Sequence, residues 1–139
     1  MGDGQHVALV FPGQGCQYVG MGAELHAQYA EARAVYEAAD DAAGYLLSKL
    51  CFEGSETELN DTANAQPAIV ATSLALWAVL KPRLNGAFEA IGYAAGHSLG
   101  EFSALSAAGA LTTTDAIRLV RRRGLAMRKA GEEHPGGMA

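Results

Sequence analysis

The chain has 139 residues, half of them apolar, with a net charge of −5. That size fits one domain, the apolar share excludes a disordered chain, and the acidic balance excludes the basic footprint of a nucleic-acid binder. Two distant cysteines, Cys16 and Cys51, make neither a disulfide framework nor a zinc site and fit a reducing, cytoplasmic setting.

His6 to Phe11 (HVALVF) is short and apolar, with Pro12-Gly13 closing it, and is read as a buried strand. The loop that follows, PGQGCQYVGMG, is rich in glycine. Tyr18 replaces the third glycine of a dinucleotide fingerprint, and no Gly-Lys-Ser/Thr follows, so it is neither that motif nor a P-loop. A backbone that must closely approach a ligand or another loop is the better reading. Ala23 to Ala43 is alanine-rich and predicts one helix, ended by Gly44. Tyr45 to Phe52 predicts a short helix, and Ser55 with Glu58 forms a capping box.

NAQPAIVATSLALWAVLKPRL predicts a long, largely buried helix with Pro67 in its first turn, ending near Lys81-Pro82. Lys81, Pro82 and Arg83 hold this apolar run below transmembrane length, and the N-terminus has no secretory pattern. Glu89 to Gly96 is the second strand, Leu99 to Ala108 a small-residue helix, and Thr112 or Thr113 caps a last helix running to about Ala130. The tail is loop, turning toward a strand at Met138-Ala139. The order β, α, α, β, α, α predicts a helix-rich α/β fold with a parallel sheet. Two strands are too few for such a sheet, so residues 1–139 read as one incomplete subdomain.

Gly96-His97-Ser98-Leu99-Gly100 has the spacing of a nucleophile elbow, with a strand before it and a helix after it. In that setting Ser98 sits on a sharp turn, the helix N-terminus favours negative charge, and the Leu99 N–H can donate to an oxyanion. A serine needs a base. His97 adjoins Ser98, and neighbouring side chains diverge at an elbow, so packing or hydrogen bonding of the loop suits it better. His6 and His26 read as surface residues, and His134 lies in a loop, so no histidine is convincingly placed.

On the last helix, at about 100° per residue, Ala116, Leu119, Val120, Met127 and Ala130 share one side. Arg118, Arg121, Arg122, Arg128 and Lys129 take the other, a solvated face. Arg123 falls within the apolar stripe. A buried guanidinium keeps its charge and needs an acceptor. Three readings stay open: an internal salt bridge to Glu101 or Asp115, a slip of helix phase, or bidentate binding of a substrate carboxylate.

VFPGQGCQYVGMG, AQPAIVATSLALW, AGHSLGEFSALSAAGAL and AIRLVRRRGLAM, in this order, closely resemble the malonyl-CoA:acyl carrier protein transacylases and the acyltransferase domains of fatty acid and polyketide synthases. The resemblance runs from Val7 to Ala139. It implies the N-terminal part of an α/β-hydrolase-like large subdomain, with a ferredoxin-like subdomain, the catalytic histidine and the C-terminal part lying beyond these residues. It implies Ser98 as the acylated nucleophile and the backbone N–H groups of Gln14 and Leu99 as the oxyanion hole. Arg123 would clamp the malonyl carboxylate, Gln66 would line the acyl pocket, and His97 is counted with them on the substrate side. Cys16 stands where the family commonly has serine. The implied partners are malonyl-CoA, acyl carrier protein and the rest of the domain, with no bound cofactor, metal, nucleic acid or membrane. A serine hydrolase or thioesterase with the same elbow, and a non-catalytic piece lacking its base, are the alternatives.

Overall fold

The computed structural model describes residues 7–84 and 91–136. Two strands, β1 (Val7–Phe11) and β2 (Ile91–Gly96), pair in parallel, with Phe11 opposite Gly96 and a register shift between Val7 and Ala8. The helices between them are α1 (Ala23–Gln28), α2 (Ala30–Ala43), α3 (Leu47–Glu53), α4 (Glu56–Asn60) and α5 (Thr62–Leu80), the last extended by a 3-10 turn at Lys81–Arg83. After β2 come α6 (Gly100–Ala107) and α7 (Thr113–Glu133). The expected parallel α/β arrangement is therefore present. The predicted starts of the strands at His6 and Glu89, and the strand suggested at Met138-Ala139, lie outside the described residues.

The expectation of a buried first strand is not met. Among the described residues only Phe11 of β1 is buried; Val10 is 77% exposed and Tyr93 on β2 is 67% exposed. The apolar character of a parallel strand reflects cover on both faces, and here the helices cover one. The core lies instead around α5, whose Ala68, Val70, Ala71 and Ala75 are fully buried beside Tyr36 of α2, Leu47 and Cys51 of α3, and Ile117 and Val120 of α7. By length and composition Thr62–Arg83 would suffice to cross a membrane, contrary to the expectation that the run stays below that length. It is the central core helix, with 67% of its apolar window buried.

Three further departures have local causes. The single helix expected over Ala23–Ala43 is broken at Tyr29, which takes an extended conformation (φ −122°, ψ 126°). Arg33 caps the first piece, its Nη1 donating to the carbonyls of His26 and Ala27 at 3.0 and 3.1 Å, and the Arg83 guanidinium lies 4.9 Å over the Tyr29 ring. Asp61, not a residue nearer Pro67, caps α5 by accepting from the Ala63 N–H, so Pro67 falls inside the helix, beyond its first turn. Proline cannot donate to the carbonyl four residues earlier. That carbonyl, on Ala63, accepts instead from Arg121 Nη1 of α7 at 3.3 Å. The capping box at Ser55 and Glu58 forms as expected, with both reciprocal bonds in place.

Helices α5 and α7 approach closely at Gly124, where a Cβ would stand 2.7 Å from the Thr62 oxygen and 2.9 Å from the Ala63 Cα. Only a residue without a side chain fits this contact, and it holds the N-terminal end of α5 against the middle of α7.

Candidate active site

The elbow is built by glycines that let three backbones touch. Ser98 has φ 53°, the one non-glycine residue with positive φ among those described, a left-handed conformation that costs an L-residue about 1–2 kcal/mol. A Cβ on Gly96 would stand 2.0 Å from the Gly100 carbonyl carbon, and one on Gly100 would stand 2.6 Å from the Phe11 oxygen. The loop after β1 is pressed against the same turn: the His97 N–H donates to the Phe11 oxygen at 3.0 Å, and a Cβ on Gly13 would be 2.4 Å from His97 Nδ1. The close approach expected of the glycine-rich loop is thus to the elbow. Leu99 is fully buried and fixes the turn from below, whereas Ser98 is exposed above it.

The first N–H groups of α6 are used within the turn, Gly100 donating to the His97 oxygen and Glu101 to the Ser98 oxygen. Among the described residues, those of Leu99 and Gln14 are not engaged by another backbone group outside the helices and strands.

A line of side chains crosses from α7 to the loop. Arg123 Nη2 donates to Ser98 Oγ at 2.9 Å, and its Nη1 donates to Gln66 Oε1 at 2.7 Å. Gln66 Nε2 donates to Thr62 Oγ1 at 3.0 Å and also lies 3.3 Å from the Met127 sulfur. Thr62 Oγ1 in turn donates to Gln14 Oε1 at 3.1 Å. Gln66 is fully buried, so its amide depends on these partners.

The structure thus brings Ser98, Arg123, Gln66 and Gln14 into one network, with Leu99 beneath it, and adds Thr62, which the sequence reading passed over. Gln66 does not cap α5; Asp61 does. Of the three readings of Arg123, the salt bridge has no support: among the described residues no carboxylate pairs with it, Asp115 being engaged by Thr112 and Arg118. The helix phase did slip. The buried face of α7 is Ala116, Ile117, Val120 and Gly124, while Leu119 is 42% and Met127 36% exposed. Arg123 therefore flanks the buried stripe, half-buried, on the side facing Ser98.

The face expected to be solvated is also divided. Arg121 lies 4.4 Å over the Tyr45 ring, and Arg128 pairs with Asp61 at 3.2 Å. Arg118, Arg122, Arg128 and Lys129 are exposed as expected. Burial pushes the Tyr45 hydroxyl up to about 12 against the opposing pull of the nearby Arg121 charge.

No described histidine hydrogen-bonds Ser98, whose partner is Arg123. His97 is exposed with its ring on Gly13. His26 is not the free surface residue expected, since it packs 5.1 Å from the Phe52 ring and 5.9 Å from that of Tyr36. His134 ends α7. Cys16 is exposed, with its thiol pushed up by partial desolvation, the opposite of activation. Among the described residues no group of three His, Cys, Asp or Glu side chains could hold a metal ion.

Residues 8–139 match the family model described as an acyl transferase domain. The chain is 46% identical over 133 residues to the malonyl CoA-acyl carrier protein transacylase of Bacillus subtilis (strain 168), covering 96% of this chain and 41% of that protein. It is 46% identical over 132 residues to the enzyme of the same name from Salmonella typhimurium, covering 95% of this chain and 42% of that one. Among solved structures, the acyl-carrier-protein-S-malonyltransferase of Bartonella henselae superposes with a TM-score of 0.86 at 47% identity, over 90% of this chain and 40% of the other. A malonyl-transacylase in complex with its type II PKS acyl-carrier protein superposes with a TM-score of 0.82 at 44% identity, over the same shares. The chain thus spans about two fifths of the length of these relatives. Four sequence motifs, a strained serine between two glycines, and a match over nearly the whole chain converge on one conclusion: this chain belongs to the acyl transferase domain family.

Proposed function

We propose that the whole protein moves a malonyl group from coenzyme A to the phosphopantetheine thiol of an acyl carrier protein, in the cytoplasm, for fatty acid or polyketide synthesis. The observation that carries this reading is the pair of bonds from Arg123 to Ser98 Oγ and Gln66 Oε1. A guanidinium with neutral partners, beside a strained serine, is a receptor for a carboxylate placed next to a reacting carbonyl. A hydrolase of neutral acyl chains has no use for it.

In this reading a base removes the Ser98 proton as Oγ attacks the thioester carbonyl. The Leu99 and Gln14 N–H groups receive the oxyanion. Collapse breaks the carbon–sulfur bond, the protonated base returns its proton to the departing thiol, and malonyl-Ser98 remains. The carrier's thiol then attacks the ester, and Ser98 Oγ leaves with its proton restored. None of the described histidines is bonded to Ser98, so the base is assigned to the remainder of the whole protein, which the relatives' greater length supports. Arg123 holds the distal carboxylate throughout, with Gln66 holding Arg123.

The test is to incubate the whole protein with malonyl-CoA and locate the adduct by peptide mass spectrometry. One malonyl group on Ser98, transferable to a phosphopantetheinylated carrier, is expected. No adduct, or one on Cys16, overturns the reading.

A further inference from the structure

We infer that Thr62 is a positioning residue, the hydroxyl that fixes which way the Gln66 amide points and ties the oxyanion loop to the arginine. The inference rests on the proposed role of Arg123, but its structural content can be tested separately.

The direction of the hydrogen-bond chain is forced from one end. An arginine only donates. Arg123 Nη1 at 2.7 Å therefore requires the oxygen of the Gln66 amide to face it. The amide nitrogen must then face the other way, where it meets Thr62 Oγ1 at 3.0 Å. Thr62 Oγ1 must accept from that nitrogen, so its own proton is directed to another acceptor, and Gln14 Oε1 stands 3.1 Å away. The links from Arg123 through Gln66 to Thr62 each have one polarity. A threonine serves at position 62 because a hydroxyl accepts and donates at once.

The alternative amide orientation would set Gln66 Nε2 against the Arg123 guanidinium, donor against donor, within a fully buried side chain. Without the Thr62 hydroxyl, the only other hydrogen-bond partner of Nε2 among the described residues is the Met127 sulfur, a weak acceptor. Thr62 thus defines the orientation in which Gln66 supports the guanidinium, and it holds the side chain of Gln14, whose backbone N–H belongs to the proposed oxyanion hole. Its place as the first residue of α5, four positions before Gln66, puts the two side chains on one helix face. The Thr62 carbonyl lies under Gly124, so the residue is also pinned to α7 one position from Arg123.

The test compares Thr62→Val, which keeps the shape and removes the hydroxyl, with Thr62→Ser, which keeps the hydroxyl. In the whole protein, side-chain amide NMR of Gln66 should show slow exchange in the parent and in Thr62→Ser, and faster exchange with shifted resonances in Thr62→Val. Transfer of a malonyl thioester should fall about ten- to a hundred-fold in Thr62→Val, while transfer of an acetyl thioester falls less and Thr62→Ser stays near the parent. Unchanged Gln66 resonances in Thr62→Val overturn the inference, as does malonyl transfer by Thr62→Val at the rate of the parent. If the parent forms no malonyl-Ser98, the functional reading fails instead, and the Gln66 resonances still decide the role of Thr62.

Discussion

Arg123 and Ser98, 25 positions apart and on separate elements, share a 2.9 Å hydrogen bond from Nη2 to Oγ. One residue stands on the flank of α7 and the other on the strained turn after β2, so the contact depends on both elements being held in place. α7 is held on α5 by Gly124, and the turn is held on β1 through Phe11 and Gly13. The bond places a fixed positive charge against the oxygen proposed to carry the acyl group.

Arg123→Ala should lower malonyl transfer by about ten- to a hundred-fold while sparing acetyl transfer, since a charged hydrogen-bonded pair contributes about 1.5–3 kcal/mol. The ratio of kcat/KM for the two thioesters reads this directly. An equal loss for both would make Arg123 a structural support of Ser98.

The left-handed turn predicts an inverted stability order. Ser98→Ala and Ser98→Gly both remove the hydroxyl and both should abolish acylation. In most helices and strands alanine is the more stable of the two; at φ 53° glycine should be more stable by about 1 kcal/mol. Urea unfolding of the two variants measures the difference, and a more stable alanine variant would mean the turn relaxes to ordinary backbone.

Arg121 and Pro67 should be energetically coupled although their side chains belong to different helices. Arg121→Met leaves the Ala63 carbonyl without its donor, at a cost of about 1–3 kcal/mol. In a Pro67→Ala background the new N–H can take that carbonyl, and the cost of Arg121→Met should shrink. A double-mutant cycle in urea gives the coupling energy, and equal costs in both backgrounds would refute it.

The two thiols should behave as opposites. Cys16 is exposed and should react with a thiol reagent in the native state; Cys51 is buried and should react only on unfolding. Burial, with Asp40 adding to it, pushes Cys51 up to about 12 from an ordinary 9.0. The folded state therefore keeps a proton that the unfolded chain releases, and the corresponding stability is present below pH 9 and lost as the pH rises from 9 toward 12. Cys51→Ala should flatten that part of the alkaline stability profile, and an unchanged slope would exclude Cys51 as its source.

Much of this site is legible in the sequence because its parts are local. The elbow is a five-residue pattern whose glycines are dictated by backbone contact, and its strand and helix neighbours carry clear composition signals. The capping box at Ser55 is equally local. What sequence reading misses depends on which helix face meets which partner. The α7 stripe, read by hydrophobicity, counted Leu119 and Met127 as buried, because it could not know that Gly124 marks the line of closest approach. The same glycine, sitting in a run of arginines, is the signal that would have corrected the phase. Arg121 looks solvated until Ala63 and Tyr45, far earlier in the chain, arrive beside it. Thr62 carried a signal too: it lies one helical turn before Gln66, at the spacing that lets two side chains bond.

The missing side chain at position 124 acts as a gauge. Two main chains in contact leave nothing to compress and nothing to repack, so the distance of α7 from the start of α5, the base from which Arg123 reaches, is set by polypeptide geometry. Substitutions at Gln66, Met127 or Arg123 change the side chains beside this contact and leave the distance between the two helices the same. Gly124 thus turns one missing side chain into a fixed platform on which the side chains of α7 are free to differ.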